Sequence, residues 1–260
     1  MPELPEVETY RALATRALGR TIAAVEAPDA WFLKAGLRPD VVVSTLTGAR
    51  FVADRRIGKL LLLDTDIGVV VGLRFGMTGR LLVDGIAAIA RLEYAGARDN
   101  TTWDRFVVRF ADGGDLRVRD PRRLGGVAFD PDESRLGVDA LAVTPSQLSA
   151  LLRGSTAPLK ARLMDQTRLA GLGNLLTDET LWRAGLDPAR PSGSLSGPER
   201  RRLHRHLRRT LTELSARGGS HTGDLHIARS RGACCPADGA PLDRRTVGGR
   251  TTYSCPVHQH

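Results

Sequence analysis

The apolar pattern of this chain changes period once, and that change constrains the fold more than any other feature. From Ile22 to about Phe129, short apolar runs such as Val41-Val42-Val43, Leu60-Leu61-Leu62-Leu63, Val69-Val70-Val71 and Phe106-Val107-Val108 alternate with Asp/Gly turns, for example Ala111-Asp112-Gly113-Gly114. Runs of that length bounded by turn formers predict strands, and their regular spacing predicts a sandwich or barrel. Asp130-Pro131-Asp132-Glu133-Ser134 then breaks the pattern as a linker. Beyond it the spacing is helical, over about 145–153, 158–166, 174–184 and 197–217, with Pro145 and Pro198 placed as first-turn prolines and Gly218-Gly219-Ser220 as a stop. A further helix is expected over 4–18, where Val7, Tyr10, Ala14 and Leu18 share a face.

The remaining segment, 225–260, is rich in Arg, Gly and Cys and poor in large apolar residues. Such a segment buries little core, so a bound metal is the natural staple. The expected architecture is α+β and multidomain: a β-sandwich with an N-terminal helix over 2–129, a helical domain over 130–220, and a hairpin tail over 225–260.

Charge narrows the function. Basic residues number 38 against 29 acidic ones, a net charge of +9. A surface this basic meets a polyanion, nucleic acid first. Only Lys34, Lys59 and Lys160 are lysines; the other basic residues are arginine. Lysine can give up a proton and arginine cannot, so each surviving lysine is a candidate for proton chemistry. No run of eighteen apolar residues is present, and the acidic, proline-rich start Met1-Pro2-Glu3-Leu4-Pro5-Glu6 is unlike a signal peptide. A cytoplasmic, nucleoid-associated bacterial protein is expected, with no membrane partner. Three cysteines, an odd number, argue against a disulfide framework.

The start of the chain carries the sharpest chemistry. Met before a small residue is normally trimmed, which leaves Pro2 with a secondary amine. An α-amine titrates near pH 8, so roughly a tenth of it is neutral at pH 7, against less than about a thousandth of an ordinary lysine. A neutral amine can attack a sugar C1′ and form a Schiff base. Glu3, the next residue, can carry protons.

Here the sequence becomes recognisable. Pro2-Glu3-Leu4-Pro5-Glu6-Val7-Glu8-Thr9 resembles the start of the formamidopyrimidine-DNA glycosylase and endonuclease VIII family, closer to the first branch. Arg56-Ile57-Gly58-Lys59 resembles the hairpin carrying the family's catalytic lysine. Gly76-Met77-Thr78-Gly79 resembles the loop whose Met fills the gap left by a flipped base. Asp120-Pro121-Arg122-Arg123-Leu124-Gly125 resembles the loop that inserts an arginine and an apolar wedge into the duplex. Met164-Asp165-Gln166, Gly171-Leu172-Gly173-Asn174 and Asp178-Glu179 resemble the helix–two-turn–helix clamp, and the cysteine-bearing tail resembles the zinc finger. Each match alone is weak; in this order over nearly the whole chain they are specific.

The resemblance implies a bifunctional DNA glycosylase/AP lyase, acting as a monomer on double-stranded DNA that holds a damaged base or abasic site. Oxidised purines such as 8-oxoguanine or formamidopyrimidine are the expected lesions. Oxidised pyrimidines are the alternative within the family, and a catalytically silent damaged-DNA binder the alternative outside catalysis. Pro2, Glu3 and Lys59 would be catalytic, and Arg250 would contact phosphate and assist the second elimination. Lys160 would contact backbone phosphate. Met77 and Leu124 would wedge into the gap, with Arg122 on the orphaned base and Arg123 beside it. Gly173 and Asn174, at a helix start, would hold a phosphate.

In the tail, Cys235 and Asp238 are separated by two residues, and Cys255 and His258 by two more, with sixteen residues between the pairs. Paired knuckles of this form predict one structural zinc ion. Asp238 and His258 depart from the four cysteines usual in the family, and Cys234, adjacent to Cys235, is left out. Three other departures bear on the substrate: Leu124 replaces an aromatic wedge, Thr101-Thr102-Trp103-Asp104-Arg105 lacks the family's DNA-contacting histidine, and the segment from Gly219 to Arg229 is too short for a lesion-capping loop. No redox cofactor or magnesium ion is implied.

Overall fold

The structure is a computed structural model that describes residues 2–89 and 100–260. It divides into two compact units, one of Pro2 and Glu6–Glu133, the other of Glu3–Pro5 and Ser134–His260.

The first unit holds two antiparallel sheets and helix α1 (Leu4–Ala14), of which Leu4 and Pro5 count with the second unit. In chain order its strands are β1 (Ile22–Glu26), β2 (Phe51–Ile57), β3 (Leu60–Thr65), β4 (Val70–Arg74), β5 (Arg80–Val83), β6 (Ile86–Ala87), β7 (Asp104–Phe110), β8 (Asp115–Arg119) and β9 (Gly126–Phe129). One sheet has the order β1-β7-β8-β5-β6, the other β2-β3-β4-β9. Leu61, Leu63, Val71 and Leu73 of the second sheet share a core with Leu81, Val83, Phe106, Val108 and Val118 of the first. Val7, Tyr10 and Ala14 of α1 join that core. This is the expected sandwich. The helix ends at Ala14 and tightens into a single turn of 3₁₀ helix over Thr15–Ala17, short of the predicted limit at residue 18.

Val41-Val42-Val43 corrects the reading of that segment as a strand: it lies in helix α2 (Pro39–Leu46). Pro39 supplies a preset φ in the first turn, and Asp40 suits the positive end of the helix dipole. Only Val42 and Leu46, four apart, are buried, while Val41 and Val43 are exposed. A three-residue valine run cannot reveal its period, and the tertiary contact at spacing four decided it.

The second unit begins with a short parallel pair, β10 (Val138–Asp139) and β11 (Leu169–Ala170). Its helices are α3 (Pro145–Leu152), α4 (Leu159–Met164), α5 (Asn174–Ala184), α6 (Gly197–Ala216) and the single turn α7 (Asp224–Ile227). The sequence signals for α3 and α6 act as expected: Thr144 with Gln147, and Ser196 with Glu199, form complete capping boxes ahead of Pro145 and Pro198. Leu203, Leu207, Leu211 and Leu214 carry the buried face of α6. Helix α5 is buried almost all round and ends at Gly185, which takes the left-handed conformation that suits glycine. Hairpin β12 (Asp243–Val247) and β13 (Arg250–Ser254) completes the unit. No helix among the described residues is long and apolar enough to cross a membrane.

Candidate active site and metal cluster

Glu3 is fully buried, and its carboxylate caps α5. Oε2 accepts from the backbone N–H groups of Gly173 at 2.8 Å and Leu176 at 3.1 Å, and Oε1 accepts from Leu175 at 2.9 Å. These are the otherwise unpaired donors of a helix start, where an anion is also favoured by the dipole. A Cβ on Gly173 would fall 2.3 Å from the Glu3 carboxyl carbon, so the close approach requires glycine. The phosphate expected at this turn therefore does not take these N–H groups: Glu3 holds them. Asn174 stands at the same helix start, and its Oδ1 is buried with no hydrogen-bond partner in the structure.

Lys59 sits in the two-residue turn of hairpin β2–β3, where Ile57 pairs with Leu60. Gly58 takes φ +58°, the glycine-first form that matches strand twist. The turn is braced from α1. Arg56 Nε donates to Glu8 at 2.8 Å, and Arg56 Nη1 donates to the Gly58 carbonyl at 2.9 Å. Burial pushes the Glu8 carboxyl up, but the guanidiniums of Arg11 and Arg56 outweigh it and hold it below the usual carboxylate value.

The Met77 turn and the Arg122–Leu124 loop are brought together. A Cβ on Gly76 would lie 2.4 Å from the Leu124 carbonyl carbon, so the two backbones touch. Asp120, fully buried, bonds both: Oδ1 accepts from Thr78 Oγ1 at 2.6 Å and from the Arg122 N–H at 3.2 Å, and Oδ2 accepts from the Gly125 N–H at 2.8 Å. Tyr10 on α1 donates its hydroxyl to the Gly79 carbonyl at 3.2 Å. Met77 is half-buried; Arg122 is exposed, and Leu124 is 51% exposed. Arg123 differs from the expectation of a DNA contact. Its guanidinium is clamped on Asp29 by two bonds of 2.6 Å, and Arg123 holds the Asp29 carboxyl below its ordinary value.

Lys160 is the clearest correction. It is 0% exposed and its ammonium is engaged by protein groups, where the resemblance implies a phosphate contact. Its ammonium lies 2.7 Å from Asp178 and donates to Thr252 Oγ1 at 2.7 Å and to the Thr251 carbonyl at 3.2 Å. Arg229 pairs with the other oxygen of Asp178. Burial pulls the Lys160 ammonium below its usual value, against the pull of Asp178. The side chain is a strut from α4 to α5 and β13. It fixes the hairpin whose Gly248-Gly249 turn rests on Ala161 of α4 and whose next residue is exposed Arg250.

Cys235, Asp238, Cys255 and His258 converge with their ligand atoms all within 4.8 Å of one another, a group able to hold a metal ion. Cys235 Sγ lies 3.7 Å from His258 Nδ1, and Cys255 Sγ lies 3.1 Å from Asp238 Oδ2. A tetrahedral zinc ion with S, N and O ligands spaces such atoms by about 3.5 Å. The pair His258 Nδ1 and Asp238 Oδ2, at 2.7 Å, is closed to hydrogen-bond length. His258 Nε2 faces the Trp182 carbonyl at 3.2 Å. Donation there would leave Nδ1 with the lone pair that a bound metal ion requires. Trp182 Nε1 donates to Cys235 Sγ at 3.2 Å, and the N–H groups of Ala237 and Val257 point at the two sulfurs. Asp238 is held well below the usual carboxylate range, first by the Ala240 N–H and then by His258, while burial pushes the Cys255 thiol up. Cys234 is exposed and outside the group. Sequence reasoning missed Trp182, Asp120 and Glu8. Trp182 and Glu8 act through groups distant in the chain; Asp120 was legible only as part of its loop.

Residues 1–127 match the formamidopyrimidine-DNA glycosylase N-terminal domain, and residues 136–224 match the formamidopyrimidine-DNA glycosylase H2TH domain. The chain is 38% identical to the formamidopyrimidine-DNA glycosylase of Paracoccus denitrificans, with each chain fully covered. It is 32% identical to that of Chloroflexus aggregans, covering all of this chain and 98% of the relative. Among solved structures, Lactococcus lactis Fpg in complex with abasic-site DNA aligns over the whole of both chains at 26% identity, with a TM-score of 0.83. A complex of the same protein with DNA containing N7-benzyl-Fapy-dG aligns with a TM-score of 0.84. This chain belongs to the formamidopyrimidine-DNA glycosylase family.

Proposed function

We propose that the protein is a bifunctional DNA glycosylase/AP lyase of base excision repair that removes oxidised purines from duplex DNA. The observation that carries the reading is the juxtaposition at the chain start: Pro2 is followed by a carboxylate fixed by three backbone donors. With Met1 removed, the Pro2 amine attacks C1′ of the damaged nucleotide. The glycosidic bond between C1′ and the base nitrogen breaks, and the base leaves with that electron pair and takes up the proton that the Pro2 amine releases. Glu3 carries protons at the sugar. The sugar opens to a Schiff base on Pro2. Loss of a C2′ proton expels the 3′ phosphate, and a second elimination expels the 5′ phosphate. Lys59, at a braced hairpin tip, serves the proton transfers beside the scissile phosphate. Met77 and Leu124 fill the vacated stack, Arg122 addresses the orphaned base, and Arg250 lies against phosphate. Asn174, at the start of α5, would bind phosphate through its amide N–H₂.

Cys235, Asp238, Cys255 and His258 would hold a zinc ion, which when bound staples the tail and supplies no step of the reaction. The spacings and the contact of His258 Nε2 with the Trp182 carbonyl support that assignment. The protein would act as a monomer. The test is a nicking panel on duplexes carrying formamidopyrimidine, 8-oxoguanine, thymine glycol, 5-hydroxycytosine or an abasic site. Preferential cleavage at the two purine lesions and at the abasic site is expected. Preference for the pyrimidine lesions would overturn the substrate assignment, and tight binding without any cleavage would overturn the enzyme.

A further inference from the structure

Trp31 is 69% exposed, the most exposed aromatic ring among the described residues. An exposed tryptophan on a mobile segment would mean little, but this one is held. Asp29 caps the 3₁₀ turn Ala30–Phe32 by accepting from the Trp31 N–H at 3.1 Å. Just beyond the turn, the Lys34 N–H donates to the Val127 carbonyl of β9 at 2.8 Å. Lys34 Nζ donates to the Trp31 carbonyl at 2.7 Å and stands 5.3 Å from the ring centroid, a cation–π contact. Lys34, one of the chain's three lysines, thus orients the ring.

The same Asp29 carboxylate clamps Arg123, the neighbour of both Arg122 and Leu124. Phe32 packs beneath the loop, its ring within 3.2 Å of a Cβ placed on Gly125. Trp31 and the exposed wedge Leu124 are thus two apolar side chains on one rigid assembly. Beside Trp31 opens a cavity of about 450 Å³, walled by Trp31, Thr102, Asp104, Arg105 and Arg123. That lies in the range of small-ligand sites, about 300–1,000 Å³. The carboxylates of its wall are already engaged, Asp29 by Arg123 and Asp104 by Arg117 and Arg119. What remains for a ligand is an aromatic face, a hydroxyl and guanidinium edges. These suit a flat ring with polar edges and an attached phosphate.

We propose that Trp31 and this cavity form a stacking site for an unstacked nucleobase of the strand opposite the lesion. The inference rests on the glycosylase reading, because Arg122 and Leu124 of the same assembly are the groups assigned to the duplex interior. An aliphatic wedge provides less stacking surface than an aromatic one, and Trp31 presents an aromatic face on the turn whose Asp29 clamps the wedge loop.

The test uses the full-length protein and a duplex with a non-cleavable abasic analogue, with 2-aminopurine at or next to the position opposite. Trp31→Ala should weaken binding roughly 5- to 150-fold, the range for losing one base–aromatic stack. Trp31→Phe should recover most of the affinity. The slope of log affinity against log salt should not change, since stacking releases no counterions. Quenching of 2-aminopurine on binding should be lost in Trp31→Ala. The ring is exposed and its turn is held by backbone groups, so Tm should stay within a degree or two of the parent. Unchanged affinity and quenching in Trp31→Ala would overturn the proposal, as would a salt slope reduced by one charge. Nicking of a natural abasic site by the unaltered protein reads the glycosylase assignment separately. A protein that nicks while Trp31→Ala binds normally refutes the stacking site alone; one that neither binds nor nicks refutes both.

Discussion

Replacing Lys160 by Met separates a buried strut from a phosphate contact. Methionine keeps an unbranched stem of similar length, so the packing between α4 and α5 changes little. What is lost is the ammonium, whose three donors meet Asp178, Thr252 Oγ1 and the Thr251 carbonyl. Removing one partner of a buried ion pair costs about 3–5 kcal/mol, because the other charge is left uncompensated. Arg229 still pairs with Asp178, which places the expected loss at the lower end, about 3 kcal/mol. Urea unfolding followed by tryptophan fluorescence should show this loss. DNA affinity should fall as well, since β13 and the hairpin carrying Arg250 lose an anchor. A double-mutant cycle with Asp178→Asn should give a coupling above about 1 kcal/mol, as expected for residues in one network. Stability unchanged within about 0.5 kcal/mol, together with a salt slope reduced by one charge, would refute the strut and restore the phosphate contact.

Glu3→Gln should stop base excision and also destabilise the helical unit by about 1–3 kcal/mol, because an amide N–H₂ must face a backbone donor; excision lost at full stability would contradict the cap, and excision retained would contradict the proton carrier. Arg250→Ala should flatten the dependence of log affinity on log salt by about one charge on any duplex, whereas Arg123→Ala should leave the slope alone and loosen the Arg122–Leu124 loop; the reverse pattern would refute the Asp29 clamp. Trp182→Phe keeps the ring and removes the donor to Cys235 Sγ, so cobalt titrations followed by absorption should show metal affinity reduced about 10- to 100-fold. An unchanged titration would mean that Trp182 only packs.

The fold was legible wherever local chemistry carried it. The first-turn prolines Pro145 and Pro198 and the knuckle spacing of Cys235, Asp238, Cys255 and His258 are short-range signals; the prolines open α3 and α6, and the four knuckle residues converge. Val41-Val42-Val43 failed because three residues do not define a period. Lys160 failed for a different reason: rarity marked it as special, but nothing local distinguishes a buried lysine from an exposed one. Its partner Asp178 is 18 positions away and Thr252 is 92. The anion expected at Gly173-Asn174 was right in kind, but the carboxylate came from Glu3, 170 positions earlier in the chain. Trp31 carried no motif at all, and only its exposure beside a clamped loop marks it.

The central claim is that the N-terminal proline is the nucleophile. Borohydride reduction during reaction with an abasic duplex tests it most directly, because a Schiff base is reducible. The protein with Met1 removed should give a covalent protein–DNA adduct whose DNA-bearing peptide begins at Pro2. Pro2→Gly should trap much more slowly, and a protein whose N-terminus is blocked by an uncleaved tag should not trap. Efficient trapping by the blocked protein, or an adduct mapped to Lys59, would contradict the account.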